Sequence, residues 1–208
     1  MIRVIIVDDH PVVRRGLKQI IAAEQDMQVV GEAENAREAI RIIREIACDA
    51  VVLDITLPDG SGLDVLIQLK SERPTLPVLI MSIHEEEQYA LRVLKAGASG
   101  YLMKNSIPEE LIKAIRKIAS GGKYISPSIA ERLASEFTSP EKSPHEKLSD
   151  REFQIMCLIA SGKSLKEIGE ALFISGKTVS SYRARILEKM NVSTNADLTR
   201  YALENHLV

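Results

Sequence analysis

Short apolar runs alternate with amphipathic stretches along the first 120 residues of this 208-residue chain. The stretches with helical spacing fall roughly at 11–25, 35–46, 62–71, 86–95 and 107–119, and each follows one apolar run. Such alternation is typical of a parallel sheet with helices on both faces. The pattern therefore predicts an α/β fold, a doubly wound five-stranded parallel sheet whose ligand site lies beyond the carboxyl ends of its strands.

Polar side chains stand at the carboxyl ends of these predicted strands. Asp8 and Asp9 follow the first strand, Asp54 the third, Ser82 the fourth and Lys104 the fifth. Carboxylates that converge repel one another unless a hard cation such as Mg²⁺ lies among them, because Mg²⁺ prefers oxygen ligands. We therefore expect a phosphate-handling Mg²⁺ site. The alternative is a set of solvated carboxylates at strand ends.

The alternation ends near residue 122. A glycine pair at 121–122 is followed by a helix-like stretch at 127–134 and then by a run rich in proline and serine. Such a run is typical of a linker, whose flexible core we place at 136–146. We expect a first domain at 1–122, a linker with a short helix at 123–146, and a second domain at 147–208.

Helix-capping signals dominate the second domain. Ser149 and Ser164 each have a glutamate three residues later, which is the capping-box pattern, and Ser175 begins a third helix. That helix should run to about Met190, and a fourth should begin at about Asn195. Because only a short turn joins the second and third helices, they form a candidate helix-turn-helix within an all-α four-helix domain.

Charge limits how this domain can bind DNA. The chain has a net charge of −2, and residues 148–208 carry eight Lys or Arg against seven Asp or Glu. Any DNA contact must therefore come from a local patch, and the outward face of the third helix has small hydroxyls flanked by cations. We expect Ser180, Ser181 and Arg185 to contact base edges, and Lys163, Lys166, Lys177, Thr178, Tyr182 and Arg183 to contact phosphates.

One such module should bind DNA weakly because its net positive charge is small. We therefore expect a homodimer on a two-fold symmetric site in double-stranded DNA, joined through the fourth helix, the first domain or both. A solvated helix in a protein-binding bundle is the alternative. Gly176, at the start of the third helix, should let that helix fray until DNA is bound.

Targeting signals and redox motifs are missing from the sequence. No apolar stretch reaches the roughly 20 residues that a membrane helix needs. The first residues include no basic leader, so we expect a cytoplasmic protein without a membrane partner. Cys48 and Cys157 lack the spacing of a metal or redox pair and should be buried free thiols.

Several segments together point to a known family. They are Val7–Pro11, Leu53–Gly60, Ser82 and Gly97–Lys104 in the first domain, and Leu148–Glu152, Ile168–Ser175 and Lys177–Ile186 in the second. The first set resembles the receiver domain of two-component response regulators, and the second resembles the LuxR-type helix-turn-helix. The chain thus resembles a NarL/FixJ-class response regulator, and Thr178–Arg183 is similar to the GacA and BvgA branch.

The resemblance implies a flavodoxin-like receiver that is phosphorylated by a cognate sensor histidine kinase. Asp54 would be the acceptor, since a carboxylate can take a phosphoryl group as an acyl phosphate. Asp8, Asp9, Asp54 and the backbone carbonyl of Thr56 would hold Mg²⁺. The metal and Lys104 would neutralise charge on the phosphoryl oxygens.

Ser82 and Tyr101 suggest a switch. If Ser82 moves to hydrogen-bond the phosphoryl group, Tyr101 can swing into the vacated space and reshape the nearby surface. A tyrosine that simply caps the sheet edge is the alternative. We expect His10 to be structural or peripheral, because Mg²⁺ favours oxygen ligands, and Glu85–Glu87 to be a charged helix start.

Three functions are compatible with the sequence. The first is a DNA-binding transcriptional regulator switched by phosphorylation of Asp54. The second is a Mg²⁺-dependent phosphatase with an aspartyl nucleophile, but such enzymes usually have a second acid two residues later, where this chain has Thr56. The third is a phosphorylation-independent DNA-binding protein with a receiver scaffold. We expect the first, without turnover of a separate substrate.

Overall fold

The computed structural model describes residues 1–82, 87–127, 129–131, 143–172, 174–205 and 207–208. Internal contacts divide the chain into two compact units, Met1–Ala134 and Ser135–Val208, and this division falls inside the expected linker. Within the described ranges, no helix combines the length and the apolar character that crossing a membrane requires.

The first unit is built around one parallel sheet. Its elements are β1 (Ile2–Val7), α1 (Pro11–Ala22), β2 (Met27–Ala33), α2 (Ala36–Glu45), β3 (Ala50–Asp54), β4 (Thr56–Leu57), β5 (Gly60–Ser61), α3 (Gly62–Glu72), β6 (Val78–Ser82), α4 (Glu87–Lys95), β7 (Gly100–Met103) and α5 (Pro108–Ala119). The five long strands form a parallel sheet in the order β2-β1-β3-β6-β7. The predicted five-stranded α/β fold is confirmed.

The central strands explain the continuous apolar runs in the sequence. All five residues of β3 and all five of β6 are buried, as expected where helices cover both faces of a sheet. On one face, Val4, Ile6 and Val52 form a core with Leu111 and Ile115 of α5. Because successive side chains of a strand point to opposite faces, the remaining strand residues lie on the other face of the sheet.

A small hairpin follows β3, and the sequence pattern did not predict it. Strand β4 pairs antiparallel with β5, with Thr56 opposite Ser61. Strands of two residues are too short to show the alternation that reveals longer strands. The hairpin begins two residues after Asp54, so it shapes the loop at the carboxyl edge of the sheet.

The segment after α5 pairs with the outer edge of β7. The Tyr124 N–H donates to the Ser99 carbonyl (3.0 Å), and the Tyr124 carbonyl accepts from the Tyr101 N–H (3.0 Å). Gly100 permits this approach, because a Cβ there would lie 2.8 Å from the Tyr124 oxygen. The first unit therefore uses residues beyond its last long helix.

The second unit contains α6 (Asp150–Ala160), α7 (Leu165–Ala171), α8 (Gly176–Met190) and α9 (Asn195–Glu204). Ser149 and Ser164 form the predicted capping boxes, and Ser175 caps α8 by accepting the Thr178 N–H. Asn191 ends α8 in the left-handed conformation (φ 53°). The described part of this unit is helical without strands, as predicted.

The end of the linker differs from the sequence prediction. Residues Pro144–Lys147 form a 3-10 helix, and His145 within it is buried. Its Nδ1 lies 2.9 Å from the Tyr201 hydroxyl, and its ring centroid is 5.9 Å from that of Phe153. Aromatic packing thus fixes a residue that we expected in a flexible segment. The rest of that predicted segment, through Lys142, lies outside the described residues.

Both cysteines are free, as predicted. Cys157 is buried, whereas Cys48 is only half-buried and is therefore more accessible than expected. Burial nevertheless raises the pKa of the Cys48 thiol, so this thiol remains protonated near neutral pH.

Candidate functional site

The sheet brings the predicted polar residues to one edge. Asp54 is the last residue of β3 and Ser82 the last of β6, while Asp8 and Lys104 directly follow β1 and β7. Because these strands are parallel and in register, Val7 lies beside Leu53, Asp54 beside Met81, and Ser82 beside Met103. The side chains that follow them therefore meet beyond the carboxyl ends of the strands.

Lys104 joins two of the carboxylates. Its Nζ lies 2.6 Å from Asp8 Oδ2 and 2.7 Å from Asp54 Oδ2. The exposed fraction of these side chains is 11% for Lys104, 2% for Asp8 and 3% for Asp54. Water screens charges that are buried in this way only weakly. The attraction of the Lys104 ammonium therefore offsets the repulsion between the Asp8 and Asp54 carboxylates.

Burial dominates the ionisation of this cluster. It raises the pKa of Asp54 to about 6, and the Asp8 charge acts in the same direction against the stabilising effect of Lys104 and the Thr56 N–H. Burial opposes the charged form of Lys104, but the charges and hydrogen bonds of Asp54 and Asp8 together raise its pKa. An additional cation would therefore stabilise the ionised carboxylates.

Asp9 supplies the observation that most favours a metal ion. Its Oδ1 is buried and accepts no hydrogen bond from the described residues. His10 Nδ1 lies 2.6 Å away as a charge contact, but 63% of the His10 side chain is exposed. Ligand atoms of Asp8, Asp9, His10 and Asp54 lie within 4.8 Å of one another. The carboxylate oxygens of Asp8, Asp9 and Asp54 in this set suit a hard divalent cation.

Two further residues support this edge, and sequence reasoning missed both. Arg14 Nη1 donates to the Asp8 carbonyl (2.6 Å), which ties α1 to the end of β1. Gly62, the first residue of α3, packs directly against the backbone of Asp54, because a Cβ there would lie 2.0 Å from the Asp54 carbonyl oxygen. Gly62 could have been identified from the sequence, because a glycine at the start of a predicted helix is unfavourable for the helix and therefore suggests another role.

Thr56, Ser82 and Tyr101 occupy the expected positions, and their roles remain predictions. The Thr56 N–H donates to Asp54 Oδ1 (3.2 Å). Ser82 and Tyr101 are both buried, and the Ser82 carbonyl accepts the Lys104 N–H (2.8 Å). Glu85 and Glu86, part of the predicted charged helix start, lie outside the described residues.

Helices α7 and α8 form the predicted helix-turn-helix. Val179, Ile186 and Met190 of α8 are buried, and Leu187 is half-buried. Lys189 Nζ donates to the buried Glu152 carboxylate (2.6 Å), which fastens the end of α8 to α6. One face of α8 is thus fixed in the unit, and the opposite face is exposed.

The residues predicted to contact DNA lie on or beside the exposed face. Lys163, Lys166, Lys177, Thr178, Ser180, Ser181 and Arg185 are exposed, while Tyr182 and Arg183 are half-buried. The Arg185 guanidinium lies 4.5 Å from the centre of the Tyr182 ring. Arg183 Nε donates to Asn195 Oδ1 (2.6 Å), so part of its guanidinium is used within the protein.

Hydroxyl groups on this face also have local partners. The Ser181 hydroxyl donates to the Lys177 carbonyl (3.1 Å), and the Thr178 hydroxyl lies 2.8 Å from that of Ser175. Gly176 has open space around its Cα, so a side chain would fit there. Its predicted fraying in the absence of DNA remains a prediction.

Family models match both units. A model of the response regulator receiver domain matches residues 4–116, and one of the LuxR family of bacterial regulatory proteins matches residues 146–202. The receiver match includes Asp8, Asp9, Asp54 and Lys104. The second match includes the helix-turn-helix.

Individual proteins match the chain from end to end. It is 36% identical to the response regulator GacA of Pseudomonas aeruginosa, over 100% of this chain and 98% of that protein. It is 38% identical to UvrY of Escherichia coli strain K12, over 100% of this chain and 96% of that protein.

A solved structure of two RcsB dimers bound to two parallel DNAs has 26% sequence identity and a TM-score of 0.60, and the match covers 96% of both chains. The similarity thus extends over both units and their order along the chain. The chain belongs to the NarL/FixJ family of two-component response regulators, in which a receiver domain precedes a LuxR-type DNA-binding helix-turn-helix.

Proposed function

We propose that this regulator is switched by Mg²⁺-dependent phosphorylation of Asp54, with a cognate sensor histidine kinase as the donor. The observation that carries the proposal is the convergence of Asp8, Asp9 and Asp54 with Lys104 at one sheet edge. The Lys104 ammonium beside Asp54 favours phosphoryl uptake at that carboxylate, because a cation already in position would neutralise charge on the transferred group.

The transfer assigns a role to each protein group. An Asp54 carboxylate oxygen would form the new bond to phosphorus while the phosphorus–nitrogen bond to the donor histidine breaks, leaving the electron pair on that nitrogen. Lys104 would neutralise phosphoryl oxygens, and Ser82 would hydrogen-bond one of them afterwards. Tyr101 would then fill the space that Ser82 leaves.

The bound metal would be Mg²⁺. Asp8, Asp9, Asp54 and the Thr56 backbone carbonyl would hold it, directly or through water. Asp9 Oδ1 supports this assignment, because it is buried and accepts no hydrogen bond from the described residues, although the exposed His10 Nδ1 lies 2.6 Å away. When bound, the ion supplies charge neutralisation for the phosphoryl group.

The expected product is an altered state of the chain itself. The position two residues after Asp54 is Thr56, where aspartyl phosphatases usually have an acid. We therefore propose that the chain takes up and loses its own phosphoryl group without turning over a separate phosphate ester.

The phosphorylated protein would act on DNA as a dimer in the cytoplasm. Ser180, Ser181 and Arg185 would contact base edges in the major groove. The basic residues around them would contact phosphates. The solved RcsB dimers bound to DNA support binding as a dimer. A dimer with two-fold symmetry would match a two-fold symmetric site.

Phosphoryl uptake provides the direct test. Wild type, Asp54→Asn and the exposed-carboxylate control Asp64→Asn are incubated with an acyl-phosphate donor, with and without Mg²⁺, and followed by intact-protein mass spectrometry. We expect uptake by wild type and Asp64→Asn only with Mg²⁺. Normal uptake by Asp54→Asn would refute the site assignment, and hydrolysis of an added phosphate ester would favour the phosphatase.

Selection of bound genomic DNA fragments tests the output. The full chain is presented with sheared DNA, with and without the acyl-phosphate donor. We expect the donor to enrich two-fold symmetric sites, and the enrichment to be lost in Asp54→Asn. Equal enrichment in all samples would favour a phosphorylation-independent DNA-binding protein with a receiver scaffold.

A further inference from the structure

Asp59 makes a contact that links the phospho-acceptor loop to a separate helix. The residue lies in the turn between β4 and β5, directly after the short segment that begins at Asp54. Its Oδ1 accepts the Ala36 N–H (2.7 Å), and its Oδ2 accepts the Arg37 N–H (3.2 Å). Both donors belong to the first turn of α2. Asp59 thus connects two elements that are far apart in the sequence.

Helix α2 already has its own cap. The Asn35 side chain accepts the Glu38 N–H (2.9 Å), in the usual arrangement for the residue that precedes a helix. Asp59 satisfies the two N–H groups that this cap leaves open. Arg37 adds little to the contact, since its guanidinium is 4.0 Å from Asp59 and 93% of its side chain is exposed.

The loop is held at its base as well as at its tip. At the base, the Gly62 N–H donates to the Ile55 carbonyl (2.8 Å). In the middle, Thr56 pairs with Ser61. At the tip, Asp59 joins α2. These contacts leave the hairpin little freedom to shift relative to Asp54. Because Thr56 is part of the hairpin, they also restrict the position of the Thr56 backbone.

We propose that Asp59 is a positioning residue for the phospho-acceptor site. Its two hydrogen bonds fix the tip of the hairpin to α2 and thereby fix the backbone of Thr56, whose carbonyl is a candidate Mg²⁺ ligand. The inference rests on the proposed function, because it concerns the same metal site. Groups that orient a metal ligand without touching the metal typically change metal affinity by about tenfold or more.

The test measures Mg²⁺ affinity of the full chain by isothermal titration calorimetry, together with thermal stability. Asp59→Ala should raise the Mg²⁺ dissociation constant by about tenfold. The matched control is Asp49→Ala, because the Asp49 carboxylate accepts three hydrogen bonds from Arg3 (2.8, 3.1 and 2.9 Å) near the start of β1, at the opposite edge of the sheet. That control should lose stability but keep its Mg²⁺ affinity within about twofold.

A second variant breaks the same contact from the other side. Ala36→Pro removes the N–H that donates to Asp59, while proline is well suited to the first position of a helix. Asn35 has an extended backbone (φ −155°, ψ 167°), which is the conformation that a following proline requires. Ala36→Pro should therefore weaken Mg²⁺ binding while leaving α2 folded, even if Asp59→Ala folds poorly.

The outcomes separate the two proposals. If wild type neither binds Mg²⁺ nor takes up phosphoryl, the proposed function fails. If wild type does both and both variants retain its Mg²⁺ affinity, Asp59 is only a helix cap and the inference is overturned. Weaker Mg²⁺ binding in both variants with an unchanged control supports the positioning role.

Discussion

Lys104 Nζ lies 2.7 Å from Asp54 Oδ2, although the strands that carry these residues are separated by β6. The long side chain of Lys104 reaches across the end of the intervening strand and also contacts Asp8 at 2.6 Å. One ammonium thus serves two buried carboxylates. Burial is the main reason why Asp54 is difficult to ionise despite its ion pair, and the charge of Asp8 adds to that effect.

Asp54→Asn should therefore stabilise the metal-free receiver near neutral pH. The folded-state pKa of about 6 lies above the usual 3.8, so ionising Asp54 costs stability. The cost is absent below about pH 4, grows as pH rises to about 6, and reaches about 2 to 3 kcal/mol. Urea denaturation in EDTA at pH 7.5 should show the variant to be more stable.

The pH dependence provides the control for this prediction. At about pH 3 the variant and wild type should have similar free energies of unfolding, because Asp54 is then mostly protonated in both the folded and the unfolded state. A variant that is less stable than wild type at pH 7.5 would contradict the buried-charge explanation. Adding Mg²⁺ should stabilise wild type more than the variant.

Gly62→Ala should disrupt the phospho-acceptor loop. The new Cβ would lie 2.0 Å from the Asp54 carbonyl oxygen, so the backbone must move. We expect a loss of about 2 kcal/mol in stability and slower phosphoryl uptake, because Asp54 moves with that backbone. Gly16→Ala is the control, since Gly16 lies within α1 with nothing within 4 Å of its Cβ position. That change should be neutral or stabilising.

Lys189→Met should loosen the second unit. Glu152 is buried, and Lys189 Nζ donates to it at 2.6 Å, so the variant leaves a buried carboxylate without its cation. Lys189 is itself 41% exposed, so we expect a loss of about 2 kcal/mol rather than the larger cost of a fully buried pair. Hydrogen exchange in α6 and α8 is the measurement. Lys189→Arg should preserve most of the protection, and equal loss in both variants would count against an electrostatic role.

Tyr182 offers a test of how α8 presents Arg185. The Arg185 guanidinium lies 4.5 Å from the centre of the Tyr182 ring, which restricts it before DNA binds. Tyr182→Phe should retain DNA affinity within about twofold, whereas Tyr182→Ala should weaken it by about threefold to fivefold. Fluorescence anisotropy with a selected site would measure both. Equal loss in the two variants would show that affinity depends on the expected phosphate contact of the phenolic hydroxyl and not on the contact between the ring and Arg185.

Regular elements and strand-end residues were predictable from the sequence. The alternation of apolar runs and amphipathic stretches specified the sheet, and parallel strands necessarily place their following residues at one edge. The sequence alone therefore predicted that Asp8, Asp54 and Lys104 lie close together. Capping boxes similarly located α6 and α7, because they reflect short-range hydrogen bonds.

Contacts between distant loops were not predictable in this way. The contact of Asp59 with α2 depends on how a turn and a helix end are placed in space, and no local pattern encodes that distance. In the sequence, Gly62 is only an unfavourable residue within a helix. The reason for a glycine there is its close packing against the Asp54 carbonyl oxygen, which the structure reveals. His145 was assigned to a flexible linker because the residues before it are rich in proline and serine, and because its partner Tyr201 is 56 residues away.

The pairing of Tyr124 with β7 affects where the receiver can be cut. A fragment that ends at residue 122 would lack the hydrogen bonds that Tyr124 makes with Ser99 and Tyr101. Strand β7 forms one edge of the sheet, and it would then lose the isolated bridge between Gly100 and Tyr124 that covers part of that edge. Open sheet edges recruit strands from other molecules. A fragment that extends to residue 131 retains this cover. Self-association of the shorter fragment would then arise from truncation and should not be interpreted as regulatory dimerisation.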